Sequence, residues 1–140
     1  MRLNKVVQSK LKKQKERNAM KLSKHFSLDE FKCKCGSCET PTINPLLISE
    51  LELIRSIVNE PIYINSGYRC KEHNKRVGGT NNSQHTLGNA ADIRCKGINA
   101  IELGDIIQCM YPTQYGIGIY VEDNFVHFDV RDQKARWVYD

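Results

Sequence analysis

Near the C-terminus, Gly116-Ile117-Gly118-Ile119-Tyr120 and Asn124-Phe125-Val126-His127-Phe128-Asp129-Val130 are two strand-like runs with only the Glu122-Asp123 region between them. A connection this short joins antiparallel neighbours and cannot make the crossover that parallel strands require. The pair therefore predicts a hairpin and commits the chain to a sheet. Ile62-Tyr63-Ile64-Asn65, rich in β-branched and aromatic side chains, and Ala90-Ala91-Asp92-Ile93-Arg94 predict two further strands. Pro45 suits a first helical turn, and Leu47, Leu51, Ile54 and Val58 recur at helical spacing, which predicts an amphipathic helix over 44–58 that Glu60-Pro61 ends. A short helix is expected over 70–77, and Asn99 with Glu102 opens another running to about Met110. Ser27 and Glu30 have capping-box spacing. Together these elements predict an α+β fold, a small antiparallel sheet with helices packed on it.

Charge divides the chain. Of 21 Lys/Arg and 16 Asp/Glu, residues 1–24 hold nine basic side chains and one acidic, leaving twelve basic and fifteen acidic in residues 25–140. The net charge of +5 thus belongs to a basic N-terminal extension, and the body is mildly acidic. The extension has no aromatic residue before Phe26 to anchor it, so the simplest expectation is a solvated, partly helical segment. Its clustered Lys/Arg also suit contact with an anionic surface, while no stable nucleic-acid partner is expected. Residues 25–140 are enough for one domain with a sizeable core, expected as a monomer.

Six cysteines stand at 33, 35, 38, 70, 95 and 109. Cys33, Cys35 and Cys38 form a C-x-C-x-x-C knuckle that is a candidate structural metal site, with Cys70, Cys95 or His25 available as a fourth ligand. Cys109, in an apolar helical stretch, reads as a buried small hydrophobe.

The turn-forming segment Gly78-Gly79-Thr80-Asn81-Asn82-Ser83 should be a loop that presents the residues after it. His85 and Asp92 are separated by six residues, with Gly88 between them to let the chain bend back, and His127 lies in a later strand. Two imidazoles and a carboxylate are good Zn²⁺ ligands, and three protein ligands leave a fourth position open, as in catalytic rather than structural sites.

Ser83-Gln84-His85-Thr86-Leu87-Gly88-Asn89-Ala90-Ala91-Asp92 resembles the S-x-H-x-x-G-x-A-x-D signature of the M15 peptidase family, which contains zinc D-Ala-D-Ala carboxypeptidases and L-Ala-D-Glu endolysins. Upstream, Ser66-Gly67-Tyr68-Arg69 is similar to the S-G-Y-R motif of that family; downstream, Phe125–Arg131 resembles its last conserved strand. The resemblance covers roughly residues 25–138 and implies the fold shared by these peptidases and the Hedgehog signalling domain. It implies His85, Asp92 and His127 as zinc ligands, and Arg69 as the residue that neutralises a substrate carboxylate, with a structural salt bridge as the alternative. Ser83 would hydrogen-bond the substrate backbone or cap its local turn. The substrate implied is the peptide stem of peptidoglycan. The residue types allow a zinc-activated water to attack an amide, or a non-catalytic zinc-containing module that binds the wall.

Relatives often carry the proton-shuttling carboxylate three residues before the last histidine ligand, where this chain has Asn124. Strand alternation puts Phe125, His127 and Asp129 on one face, so Asp129 is the expected catalytic base, with the alternative that it holds a ligand histidine in its tautomer. Glu122 and Asp123 are fallbacks, and Arg131 continues the same face. Trp137 and Tyr139 read as packing, and His73 as a solvated surface residue. No apolar run has the length of a secretory signal or a membrane span, so synthesis in the cytoplasm is expected, with the wall reached by a route such as phage-type lysis.

Overall fold

The computed structural model describes residues 4–18 and 20–140. Its elements run α1 (Lys5–Asn18), α2 (Pro45–Val58), β1 (Ile62–Ser66), α3 (Lys71–Arg76), β2 (Ala90–Cys95), α4 (Ala100–Met110), β3 (Gly116–Tyr120), β4 (Phe125–Asp129) and β5 (Ala135–Tyr139), with short 3₁₀ turns at Leu28–Glu30 and Gln84–Leu87. The fold is α+β, as the sequence predicts.

Each helix begins where side-chain chemistry allows it. Asn44 Oδ1 accepts the Leu46 amide ahead of Pro45 in α2, and Asn99 Oδ1 accepts the Glu102 amide at the start of α4, so exposed N-terminal donors are satisfied without tertiary help. Glu30 accepts the Ser27 amide at 2.8 Å, the reciprocal half of a capping box. Leu47, Leu51 and Ile54 on one stripe of α2 are fully buried, in the same core as Leu103 and Ile107 of α4 and the apolar face of the sheet. Truncating one of these to alanine should cost about 2–5 kcal/mol.

The five strands lie in the order β1-β2-β4-β3-β5. The first three pairings are antiparallel, including the β3–β4 hairpin. The last, β3 with β5, is parallel. The sheet is therefore mixed, a correction to the expected antiparallel one. Within residues 135–139, Trp137-Val138-Tyr139 are strand-favouring residue types, but the run is short and its last two positions are exposed, so Trp137 and Tyr139 read only as packing. They become a strand because β3 offers them an open edge.

Alternation gives the sheet two faces. Ala91, Ile93, Val126, Phe128, Ile117 and Ile119 point into the core, while the opposite face carries Asp92, His127 and Asp129. Residues 5–13 of α1 are exposed. The Met20 carbonyl accepts the Leu28 amide, and Phe26 is fully buried. Among the described residues no helix is long and apolar enough to cross a membrane.

Candidate metal centre and cleft

Sheet register assembles the site. Asp92 on β2 is paired with Ser66 on β1 and with His127 on β4; His127 is paired in turn with Gly118 on β3, and Gly118 with Trp137 on β5. One row of directly opposed residues thus crosses all five strands, and directly opposed residues lie about 4.5–5.5 Å apart at Cβ. His85 enters from the 3₁₀ turn before β2. Ser83 caps that turn, its hydroxyl accepting the His85 amide at 3.2 Å, and Gly88 closes it at φ 73°, a left-handed conformation that glycine adopts without steric penalty.

The three ligand candidates converge. Asp92 Oδ1 lies 3.2 Å from His85 Nε2 and 3.1 Å from His127 Nδ1, and the two rings meet edge to face at 5.0 Å. The remaining ring nitrogens are already committed. His85 Nδ1 is 2.7 Å from the Gly67 carbonyl, which can only accept, so Nδ1 carries a proton and Nε2 faces Asp92, where it would offer its lone pair to a bound metal. His127 Nε2 donates to Asp129 Oδ2 at 2.7 Å, leaving Nδ1 toward Asp92. Fixing the tautomer through the nitrogen that faces away is how proteins prepare imidazoles for metal. His85 and His127 are 1% and 7% exposed, and all three ligand atoms lie within 4.8 Å of one another. The donor set and its orientation fit a divalent ion of the zinc class.

Electrostatics are set by the same contacts. Burial opposes ionisation of Asp92 and Asp129, but hydrogen bonds from the histidines, and from Arg131 to Asp129, outweigh it and hold both carboxyls well below the usual range. Burial also opposes protonation of His127, yet the Asp129 and Asp92 carboxylates together raise its pKa.

Asp129 does share a face with His127, but its carboxylate lies behind the imidazole rather than in the cleft. It is fully buried, and accepts Arg131 Nε at 2.8 Å and Nη2 at 2.7 Å in a bidentate pair. Gly116 faces it from β3, where any Cβ would collide with the carboxylate. The expected base thus lies behind His127, hydrogen-bonded to its ring and paired with Arg131, the placement its alternative role requires. Asn124 is committed elsewhere too: at φ 55° its Oδ1 accepts the Ala100 amide at 2.8 Å, holding the start of α4. Glu122 and Asp123 are exposed at the hairpin turn, outside the cleft lining.

The cleft, of about 850 Å³, is lined by the three ligand candidates together with Arg69, Ser83, His73, Arg131 and Trp137 among others. Arg69 Nη2 stands 3.7 Å from Asp92 Oδ2, Nη1 donates to Asn74 at 3.2 Å, and Nε is buried without a partner. Its backbone amide donates to the His85 carbonyl, so the Ser66–Arg69 segment orients one histidine and carries the cleft arginine. Trp137 is not merely packing: its ring lies 5.1 Å from that of His127, 5.4 Å under the Arg131 guanidinium, and over Gly118, which has no side chain to block it. His73 is half-buried in the cleft wall rather than solvated. A tryptophan on an unrecognised strand and a histidine in a charged helix carry no sequence signal for these positions.

Residues 24–129 match the family described as Peptidase M15. The chain therefore belongs to the M15 peptidase family, and with the His85–Asp92–His127 cluster in place it is a metallopeptidase. No curated protein sequence matches it significantly.

Proposed function

We propose that the protein is a zinc-dependent peptidase that hydrolyses peptide bonds in the stem peptides of peptidoglycan. The observation that carries this reading is the convergence of His85 Nε2 and His127 Nδ1 on one oxygen of Asp92, with both opposite ring nitrogens already tied down. His85, Asp92 and His127 would hold the metal, which when bound supplies a Lewis acid and lowers the pKa of a coordinated water toward neutrality. Arg69, with an unpartnered Nε, would bind a carboxylate of the substrate and so set its position relative to Asp92. Ser83 serves the turn that presents His85 and lies close enough to offer its hydroxyl oxygen to a peptide backbone. Asp129, buffered by Arg131, keeps His127 in the tautomer that exposes Nδ1. Trp137 walls the cleft beside His127 and excludes water there.

A second reading, a non-catalytic zinc-containing module that binds the wall, draws on one observation: among the described residues the cleft lining includes no carboxylate other than Asp92. Incubating the zinc-loaded protein and its His127→Ala variant with defined muropeptides separates the two by mass spectrometry. Cleavage that disappears in the variant is the expected result and names the bond. Intact muropeptides despite bound zinc would establish the binding module.

A further inference from the structure

Outside the cleft, four cysteine sulfurs gather in one place. Cys33, Cys35 and Cys38 come from the knuckle, and Cys70 comes from the residue that caps α3. All four lie within 4.8 Å of one another, and Cys33 Sγ is 3.8 Å from Cys70 Sγ. That separation is far beyond the ~2.05 Å of a disulfide. It matches the edge of a tetrahedron with metal–sulfur bonds of ~2.3 Å, which is about 3.8 Å. Of the alternatives for the fourth position, His25 is occupied by Glu52 at 2.7 Å, and Cys95 is buried in the core on β2. Cys109 is exposed, not buried as its apolar surroundings suggest.

The surroundings suit thiolates. The Cys70 amide donates to Cys33 Sγ at 3.4 Å, the His73 amide to Cys70 Sγ at 3.4 Å and the Ser37 amide to Cys35 Sγ at 3.5 Å. Backbone donors aimed at sulfur offset the charge that clustered thiolates bring. Gly36, at φ 75°, makes the turn that brings Cys35 and Cys38 to one side. The segment between Phe31 and α2 has no regular secondary structure, so something other than a backbone ladder must hold it.

We propose that Cys33, Cys35, Cys38 and Cys70 form a second metal site, a closed tetrathiolate centre for a zinc-class ion that is separate from the cleft. It pins the knuckle to the junction between β1 and α3. Four thiolates complete the coordination shell, so this site is structural and leaves no position for substrate or water. Because Cys70 follows Arg69 directly, the bound ion also anchors the backbone from which the cleft arginine projects. The proposal does not depend on the peptidase reading.

The test is metal and thiol counting on the full chain, purified under reducing conditions and equilibrated with zinc. About two zinc ions per chain are expected, falling to about one in Cys38→Ser/Cys70→Ser and to about one in Asp92→Ala/His127→Ala. Since the cysteine variant could fail to fold, the unmodified chain gives a second readout by alkylation mapping. Zinc should protect the four clustered cysteines, with Cys109 modified equally with and without the metal. A zinc content that the cysteine substitutions leave unchanged, equal alkylation of the four with and without zinc, or a mapped disulfide within the cluster would each overturn the proposal.

Discussion

The chain builds two ligand clusters in different ways, and the contrast separates holding a shape from doing chemistry. The imidazole–carboxylate cluster draws its members from β2, β4 and the turn before β2, so hydrogen-bonded register places Asp92 opposite His127 before any ion arrives. The thiolate cluster takes three of its four members from residues 33–38, which no ladder supports. Two imidazoles and a carboxylate would leave an open coordination position, whereas four thiolates would close their shell. One cluster is held in place by the sheet; the other relies on its loop, on the amides aimed at its sulfurs and on the ion proposed for it.

The sharpest way to break this contrast is to remove a ligand from the sheet. Asp92→Ala should lower kcat/KM by about 10³-fold or more, because metal catalysis supplies several kcal/mol of transition-state stabilisation. The fold should survive, since the core lies on the other face of the sheet; circular dichroism beside the muropeptide assay checks both. Retained cleavage would mean that the rigid cluster is not the reaction centre.

Next comes Asp129→Asn. If Asp129 orients His127, the variant should bind zinc about 10–100-fold more weakly, and activity should recover at high zinc. A catalytic base would behave otherwise: metal affinity would hold while kcat collapsed at any zinc concentration. A competition titration with a chromogenic chelator decides between them. Arg69→Lys tests the cleft wall, and should raise KM for carboxylate-bearing muropeptides by about tenfold with kcat less affected, since an ammonium loses the planar fork.

How much of this could be read from the residues divides along the same line between register and edge. Leu47, Leu51 and Ile54, the hairpin at 116–130 and the His85-to-Asp92 spacing are local patterns, and their structural meaning survives folding. The antiparallel β3–β4 pairing follows from its short connection, whereas β1–β2 and β2–β4 are joined across long segments and follow from the assembled sheet. The parallel β5 is different: Trp137-Val138-Tyr139 favour a strand locally, but their pairing with the free edge of β3, and its parallel direction, are tertiary outcomes, and Trp137 arrives in the cleft with them. Asp129 shows a subtler limit. Alternation correctly gives its face, but whether a carboxylate on that face meets water depends on Arg131 folding back over it, which periodicity does not encode.

Proton competition offers a gentler probe. In the metal-free chain, Asp92 and Asp129 have depressed values, so their contribution to stability is present above about pH 4 and is lost as pH falls through their folded values. His127 is raised, so its contribution is complete below about pH 6.5 and is lost as pH rises through its folded value. The metal-free protein should therefore be most stable between about pH 4 and 6.5. Zinc reverses the upper limb, because it needs the deprotonated imidazole; affinity should fall by up to about tenfold per pH unit below the raised value of His127. Thermal unfolding across pH 5–8, with and without zinc, should show the two curves diverging as pH increases. Parallel curves would mean that His127 does not bind the ion.

The smallest effect is expected where relatives often place their proton carrier. Asn124→Asp restores a carboxylate three residues before His127, yet the side chain at this position serves the Ala100 amide at the start of α4 and is absent from the cleft lining. Aspartate accepts that hydrogen bond as well as asparagine does, and its charge is favourable at a helix N-terminus. The variant should keep kcat/KM within about threefold and gain up to about 1 kcal/mol of stability. A large rise in kcat would instead show that the hairpin turn swings its side chain toward Asp92 during turnover. In that case the carboxylate missing from the cleft would be a lost catalytic group, and the rigid cluster would bind metal ready for chemistry that this chain performs poorly.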